Sequence, residues 1–132
     1  MNTVPDSVAE VLRGHAARAW PEECCGALLA DAAGTLFARP LENAAADRRN
    51  GFNVSARDYL RLEAHAEAHG LSLVGFYHSH PDAPASPSAS DAQSAWAWRW
   101  TVIVPVTAGV SGVPRAFRFD DTTRTFHEEA LW

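Results

Sequence analysis

Apolar positions first mark out a helix near the amino end. Val8, Val11, Leu12 and Ala16 recur at helical spacing behind the candidate caps Asp6 and Ser7, and Pro21 closes the segment after Trp20. CGALLA (25–30) then reads as a short buried strand, and GTLFARP (34–40) as its hairpin partner across Asp31–Gly34. LENAAADRRNGFNV (41–54) has no period and predicts a long loop with a short extended piece near Phe52. Ser55 and Asp58 form a capping pattern for a second helix, whose stripe Tyr59, Leu62, Ala66, His69 ends at Gly70.

The second half of the chain is richer in strand signals. LSLVGFYHSH (71–80) has the largely apolar character of a buried central strand. A proline-rich loop follows, then a helix from about Ser88 to Trp96 and the strand WTVIVPV (100–106), where Pro105 should mark an end or an edge. RAFRF (115–119) and RTFHEE (124–129) predict a closing hairpin around Asp120-Asp121. Strands mixed with helices, and no repeat or linker, predict one α/β domain over residues 1–132.

Composition narrows the function more than the fold. At 132 residues, 47% apolar and 20% charged, the chain suits one ordinary globular core. A net charge of −5 argues against nucleic acid as a partner. All eleven basic residues are arginine. Cys24 and Cys25 are adjacent, and Cα atoms about 3.8 Å apart make a mutual disulfide strained, so a reducing compartment is expected. With no signal-peptide pattern and no run of roughly 18 apolar residues, the expectation is a cytoplasmic protein without a membrane partner.

The candidate chemistry lies at the end of strand 71–80. Side chains alternate along a strand, so His78 and His80 project to one face and Ser79 to the other. Asp91, eleven residues beyond His80 across Pro81, Pro84 and Pro87, is a candidate third metal ligand. Two histidines and a carboxylate leave one tetrahedral position open, the mark of a catalytic zinc site, where the pKa of water falls from 15.7 to about 7. A separate carboxylate must then move the proton, and PEECCG (21–26) offers Glu22 and Glu23. H-x-H alone is weak evidence, and Ser88 with Asp91 also reads as a helix cap. The cap and the ligand reading differ over where the Asp91 carboxylate points.

Taken together, Glu23 followed by His78-Ser79-His80-Pro81, six residues, Ser88, two residues and Asp91 resembles the JAMM signature of MPN-domain metalloproteases. The likeness extends to PEECCGALLA, Asn43, Phe52 and the strand entering the histidines, which is nearly the whole chain. It implies a mixed, twisted sheet flanked by helices, cytidine-deaminase-like in architecture. It implies His78, His80 and Asp91 as ligands of one zinc ion per chain, Glu23 as general acid/base, and Ser88 as a hydroxyl donor to the oxyanion. Pro81 would turn the chain away from the metal and Ser79 would be structural. The implied reaction is hydrolysis of a peptide or isopeptide bond after the carboxy-terminal tail of a ubiquitin-like or sulfur-carrier protein. With no long insertion after Asp91, the chain resembles the compact prokaryotic stand-alone members. A homodimer is one expectation for its assembly.

Two other readings compete. A non-catalytic MPN scaffold would usually lack part of the ligand set, which here is complete; a deaminase-like zinc hydrolase would need P-C-x-x-C, which is absent. His65 and His69 are four apart on the second helix, but AEA between them does not supply H-E-x-x-H, so a solvated face is expected. His15 and His127 are expected at the surface, Cys24 and Cys25 in the core, Trp96, Trp98 and Trp100 as core and rim, and Arg48 and Arg49 in a solvated loop.

Overall fold

In the computed structural model, which describes residues 4–94 and 99–130, the elements follow the hydrophobic pattern closely. Helix α1 (Asp6–Ala19) leads into strands β1 (Cys25–Ala30) and β2 (Leu36–Leu41), then helix α2 (Ala56–Ala68) and strand β3 (Ser72–Pro81). Helix α3 (Ala89–Ser94) precedes β4 (Trp100–Thr107), β5 (Val110–Ser111), β6 (Arg115–Asp120) and β7 (Thr125–Glu128). The seven strands form one mixed sheet in the order β2-β1-β3-β4-β6-β7, with β5 on β4. Its parallel pair is β3 with β4; β1 flanks β3 antiparallel on the other side.

Alternation divides the core between the two faces. Val8, Leu12 and Ala16 of α1 pack on Leu28, Tyr77, Val102 and Val104. Leu62 and Ala66 of α2 pack on Ala27 and Leu29, with Leu73 and Phe76 at the margin. Beside them, under the loop after β3, Ala85 joins Ile103 and Phe117. Gly26 is dictated by packing: a Cβ there would lie 2.3 Å from the ring of Tyr77, which is fully buried.

Several local details differ from the sequence expectation. The α1 cap is the Pro5 carbonyl, which accepts from Val8 and Ala9 N–H, and neither Asp6 nor Ser7 acts as a side-chain cap. Ser55 does cap α2, accepting from the Asp58 N–H at 3.1 Å. Pro105 lies inside β4, between the stretch paired with β6 (100–103) and the stretch paired with β5 (106–107). A missing N–H is tolerated in that gap. The strand β5 was not anticipated. The expected extended piece near Phe52 is no strand, although the Ala44 N–H donates to the Asn53 carbonyl at 2.8 Å and closes the loop. The end of the third expected helix at Trp96, and Trp98, lie outside the described residues. No helix among the described residues is long and apolar enough to cross a membrane.

Candidate metal centre

The carboxyl end of β3 lies at the parallel pair, where the chain must leave the sheet and return through α3 to β4. Such strand ends are the usual place for a site in a sheet of this kind. His78 and His80 emerge there on the α2 side of the sheet, and the crossover brings Asp91 to them. His78 Nε2 is 3.0 Å from Asp91 Oδ1, His80 Nε2 is 3.3 Å from Asp91 Oδ2, and the two Nε2 atoms are 3.1 Å apart. His78 and Asp91 are buried, and His80 is mostly so.

This donor set fits a cation. Four ligands arranged tetrahedrally at 2.0–2.1 Å have edges of about 3.3–3.4 Å, and one ligand atom from each of His78, His80 and Asp91 lies within 4.8 Å of the other two. Two imidazole nitrogens 3.1 Å apart and beside one carboxylate can, when both rings are neutral at Nε2, turn their lone pairs toward one point. His80 is oriented for this by its other nitrogen, Nδ1, which donates to the Pro84 carbonyl at 2.9 Å, so that in the neutral ring the lone pair sits on Nε2. The ring of Phe52 stacks on His78 at 4.5 Å between centroids.

Electrostatics follow from burial and close partners. Burial pushes His78 down and outweighs its hydrogen bond to Asp91. Burial would raise Asp91, but hydrogen bonds from His78, His80 and the Ser88 backbone hold it well below the usual carboxylate range. His80 is raised on balance: burial lowers it, while Asp91 and the Pro84 carbonyl favour its charged form more strongly.

The cap and ligand readings of Asp91 prove compatible. Ser88 N–H donates to Asp91 Oδ2 at 2.8 Å, and Asp91 N–H donates to Ser88 Oγ at 3.1 Å, a reciprocal cap on α3. The same carboxylate meets both histidines, since its two oxygens offer about four acceptor positions. Ser88 Oγ accepts within the cap, so its own proton is left to donate outward.

Glu23 precedes β1, on the other flank of β3 from β4. Its N–H donates to the Arg48 carbonyl at 2.7 Å, and its own carbonyl accepts from Asn43 Nδ2 at 2.9 Å. Burial pushes its carboxyl up to about 7; His80 opposes that, and Asp91 and Asp47 add to it. Its charge is thus coupled to the histidine–aspartate cluster. Glu22 is exposed.

Supporting contacts give Asn43 a task that the motif likeness left open and show the structural part played by Ser79. Asn43 also donates to the Gly51 carbonyl and accepts from the Ala45 and Asn53 N–H groups, tying both ends of the long loop to Glu23. Ser79 Oγ accepts from the buried Cys24 N–H at 2.8 Å, locking β3 to the residue after Glu23. His15 corrects the surface expectation: it is half-buried, with Nδ1 2.8 Å from the Tyr77 hydroxyl. His127 is exposed, and the two cysteines are free and buried. Arg48 and Arg49 are exposed, as expected.

Residues 5–120 match the family described as prokaryotic homologs of the JAB domain. The chain belongs to that family. This JAB domain is 36% identical over 92 residues to a desampylase of Haloferax volcanii, covering 68% of the chain and 66% of that relative, just under two thirds of its length. It is 34% identical over 114 residues to a probable TtuB-protein conjugate cleaving protease of Thermus thermophilus, covering 86% of the chain and 73% of that protein. A solved JAB1/MPN domain protein of Archaeoglobus fulgidus shares the fold, with a TM-score of 0.57 at 16% identity over 94% of this chain and 91% of that one. The JAB domain's sequence likeness includes both flanks of the cluster, since Glu23 and Asp91 fall inside the matched residues.

Proposed function

We propose that this protein is a metal-dependent peptidase that hydrolyses a peptide or isopeptide bond after the carboxy-terminal tail of a ubiquitin-like or sulfur-carrier protein. Residues 1–132 would form one such domain, working in the cytoplasm. The observation that carries the reading is the convergence of His78, His80 and Asp91, with the carboxyl of Glu23, raised by burial, interacting electrostatically with His80 and Asp91. The names of the archaeal and bacterial relatives favour a ubiquitin-like substrate.

His78 Nε2, His80 Nε2 and the Asp91 carboxylate would hold one zinc ion per chain, a donor set within zinc's usual range. Bound there, zinc supplies a Lewis acid that polarises the scissile carbonyl and makes water acidic enough to ionise near neutral pH. Glu23 takes the proton from the attacking water and returns it to the leaving amine. A carboxyl raised to about 7 suits both halves of that transfer, since it neither holds nor sheds a proton strongly at neutral pH. Ser88, its oxygen engaged with the Asp91 N–H, donates its hydroxyl proton to the carbonyl oxygen as negative charge develops there. Phe52 covers His78 and excludes bulk water from that side.

The test is mass spectrometry of a Gly-Gly-ended ubiquitin-like protein carrying a short carboxy-terminal extension, before and after incubation with zinc-loaded protein. A mass loss equal to the extension, absent with Glu23→Gln, is expected. An unchanged mass for this substrate and for its isopeptide-linked counterpart would overturn the proposal.

A further inference from the structure

A pocket of about 260 Å³ opens directly against the metal centre, with His78 and Asp91 as its inner wall, Phe52, Tyr59 and Phe76 around it, and the β4 residues Trp100 and Thr101 along one side. Phe52, Tyr59 and Phe76 are each only partly buried. The rings are also held in place. Tyr59 and Phe76 lie in loose parallel stacking at 6.5 Å, and Phe52 stacks on His78. A preformed ring-lined slot of this size is below the range that holds drug-sized ligands and suits a single side chain. One cation stands in the lining, Arg99, whose Nη1 donates to the Tyr59 hydroxyl at 3.4 Å.

We infer that this pocket selects the substrate: it takes one large apolar side chain from the acyl segment and, through Arg99, rejects lysine and arginine. The inference rests on the peptidase reading for the direction of the segment. Glu23 lies on the β1 flank of β3 and gives its proton to the leaving amine, so the leaving segment runs over that flank. Trp100 and Thr101 of β4 line the pocket on the opposite flank, where the acyl segment must then lie. Two extended glycines span about 7 Å. A Gly-Gly tail therefore carries the scissile bond to the cluster with no side chain to accommodate, and the first residues upstream meet the rings. The pocket reads what precedes the glycines.

Burial of one large apolar side chain is enough for about 10-fold discrimination or more. Two measurements test it. In the first, metal-free ¹⁵N-labelled protein is titrated with N-acetyl-phenylalaninamide, N-acetyl-leucinamide and N-acetyl-lysinamide and followed by NMR. The first two should shift the amide signals of Phe52, Phe76, Trp100 and Thr101, and the lysine probe should bind at least about 10-fold more weakly. Absent shifts, or equal shifts from the lysine probe, would overturn the inference. In the second, zinc-loaded protein cuts a Gly-Gly fusion whose three residues upstream of the glycines are randomised, with products read by mass spectrometry. One of those positions should be enriched in apolar residues by about 10-fold, and Arg99→Glu should move the preference at that position toward lysine and arginine. Arg99→Gln, a milder change, should remove the bias against cations without creating the new one. Cleavage without enrichment at any of the three positions refutes the pocket's role. No cleavage at all, with the probe shifts intact, removes the peptidase reading and leaves the pocket's apolar preference supported.

Discussion

The two faces of β3 carry the same kind of residue and treat it differently. Toward α1, Tyr77 and Ser79 are fully buried and their polar atoms are closed within the fold: Tyr77 hydroxyl on His15, Ser79 Oγ on the Cys24 N–H. Toward α2, His78 and His80 turn their nitrogens to each other and to Asp91, an arrangement of acceptors that only a proton or a cation completes. One face stores stability. The other keeps ligand capacity, and neighbours such as the Pro84 carbonyl orient that capacity without using it up.

That contrast makes unequal predictions for changes one residue apart. His78→Ala should lose most of the bound zinc, measured as metal per chain, and with it activity. Glu23→Gln should keep the metal but lower kcat by about 10²–10⁴; a near-normal rate would shift the proton carrier elsewhere. Its pH profile sharpens this. The free carboxyl sits at about 7 and a nearby cation lowers it, so activity should fall as pH drops through a value at or below about 7, and that limb should vanish in Glu23→Gln. Ser88→Ala should cost about 10²–10³ in kcat through the oxyanion contact, plus about 1 kcal/mol of stability through the lost cap. An unchanged rate with a lower Tm would leave Ser88 as a cap alone.

On the α1 face, activity per folded molecule should hold while stability falls. Gly26→Ala forces a Cβ into the Tyr77 ring and should cost about 1–3 kcal/mol by chemical denaturation. Tyr77→Phe leaves the His15 Nδ1 without its partner and should cost about 1 kcal/mol, with metal content unchanged. Loss of zinc in either variant would show that the faces are not independent.

Much of this was legible beforehand because it depends on local rules. A period of two placed His78 and His80 together, and the Ser55 cap and the glycine after α2 marked that helix. What escaped depends on contacts between distant segments. His15 looked solitary because its partner Tyr77 is 62 residues away. Nothing near Asp91 tells whether its carboxylate serves the backbone or the histidines, and the crossover geometry lets it serve both. Pro105 looked like a strand end because a sequence does not reveal where neighbouring ladders stop; here it falls between two of them. The anchoring by Asn43 joins Glu23 to a loop with no periodicity at all, so only the fold reveals it.

X-ray absorption at the zinc edge of the loaded protein tests the central claim most directly. Two imidazoles and a carboxylate predict only nitrogen and oxygen neighbours, at about 2.0–2.1 Å, with a two-histidine signature that His78→Ala reduces. Sulfur neighbours at about 2.3 Å would put the metal on Cys24 or Cys25 instead and contradict the account.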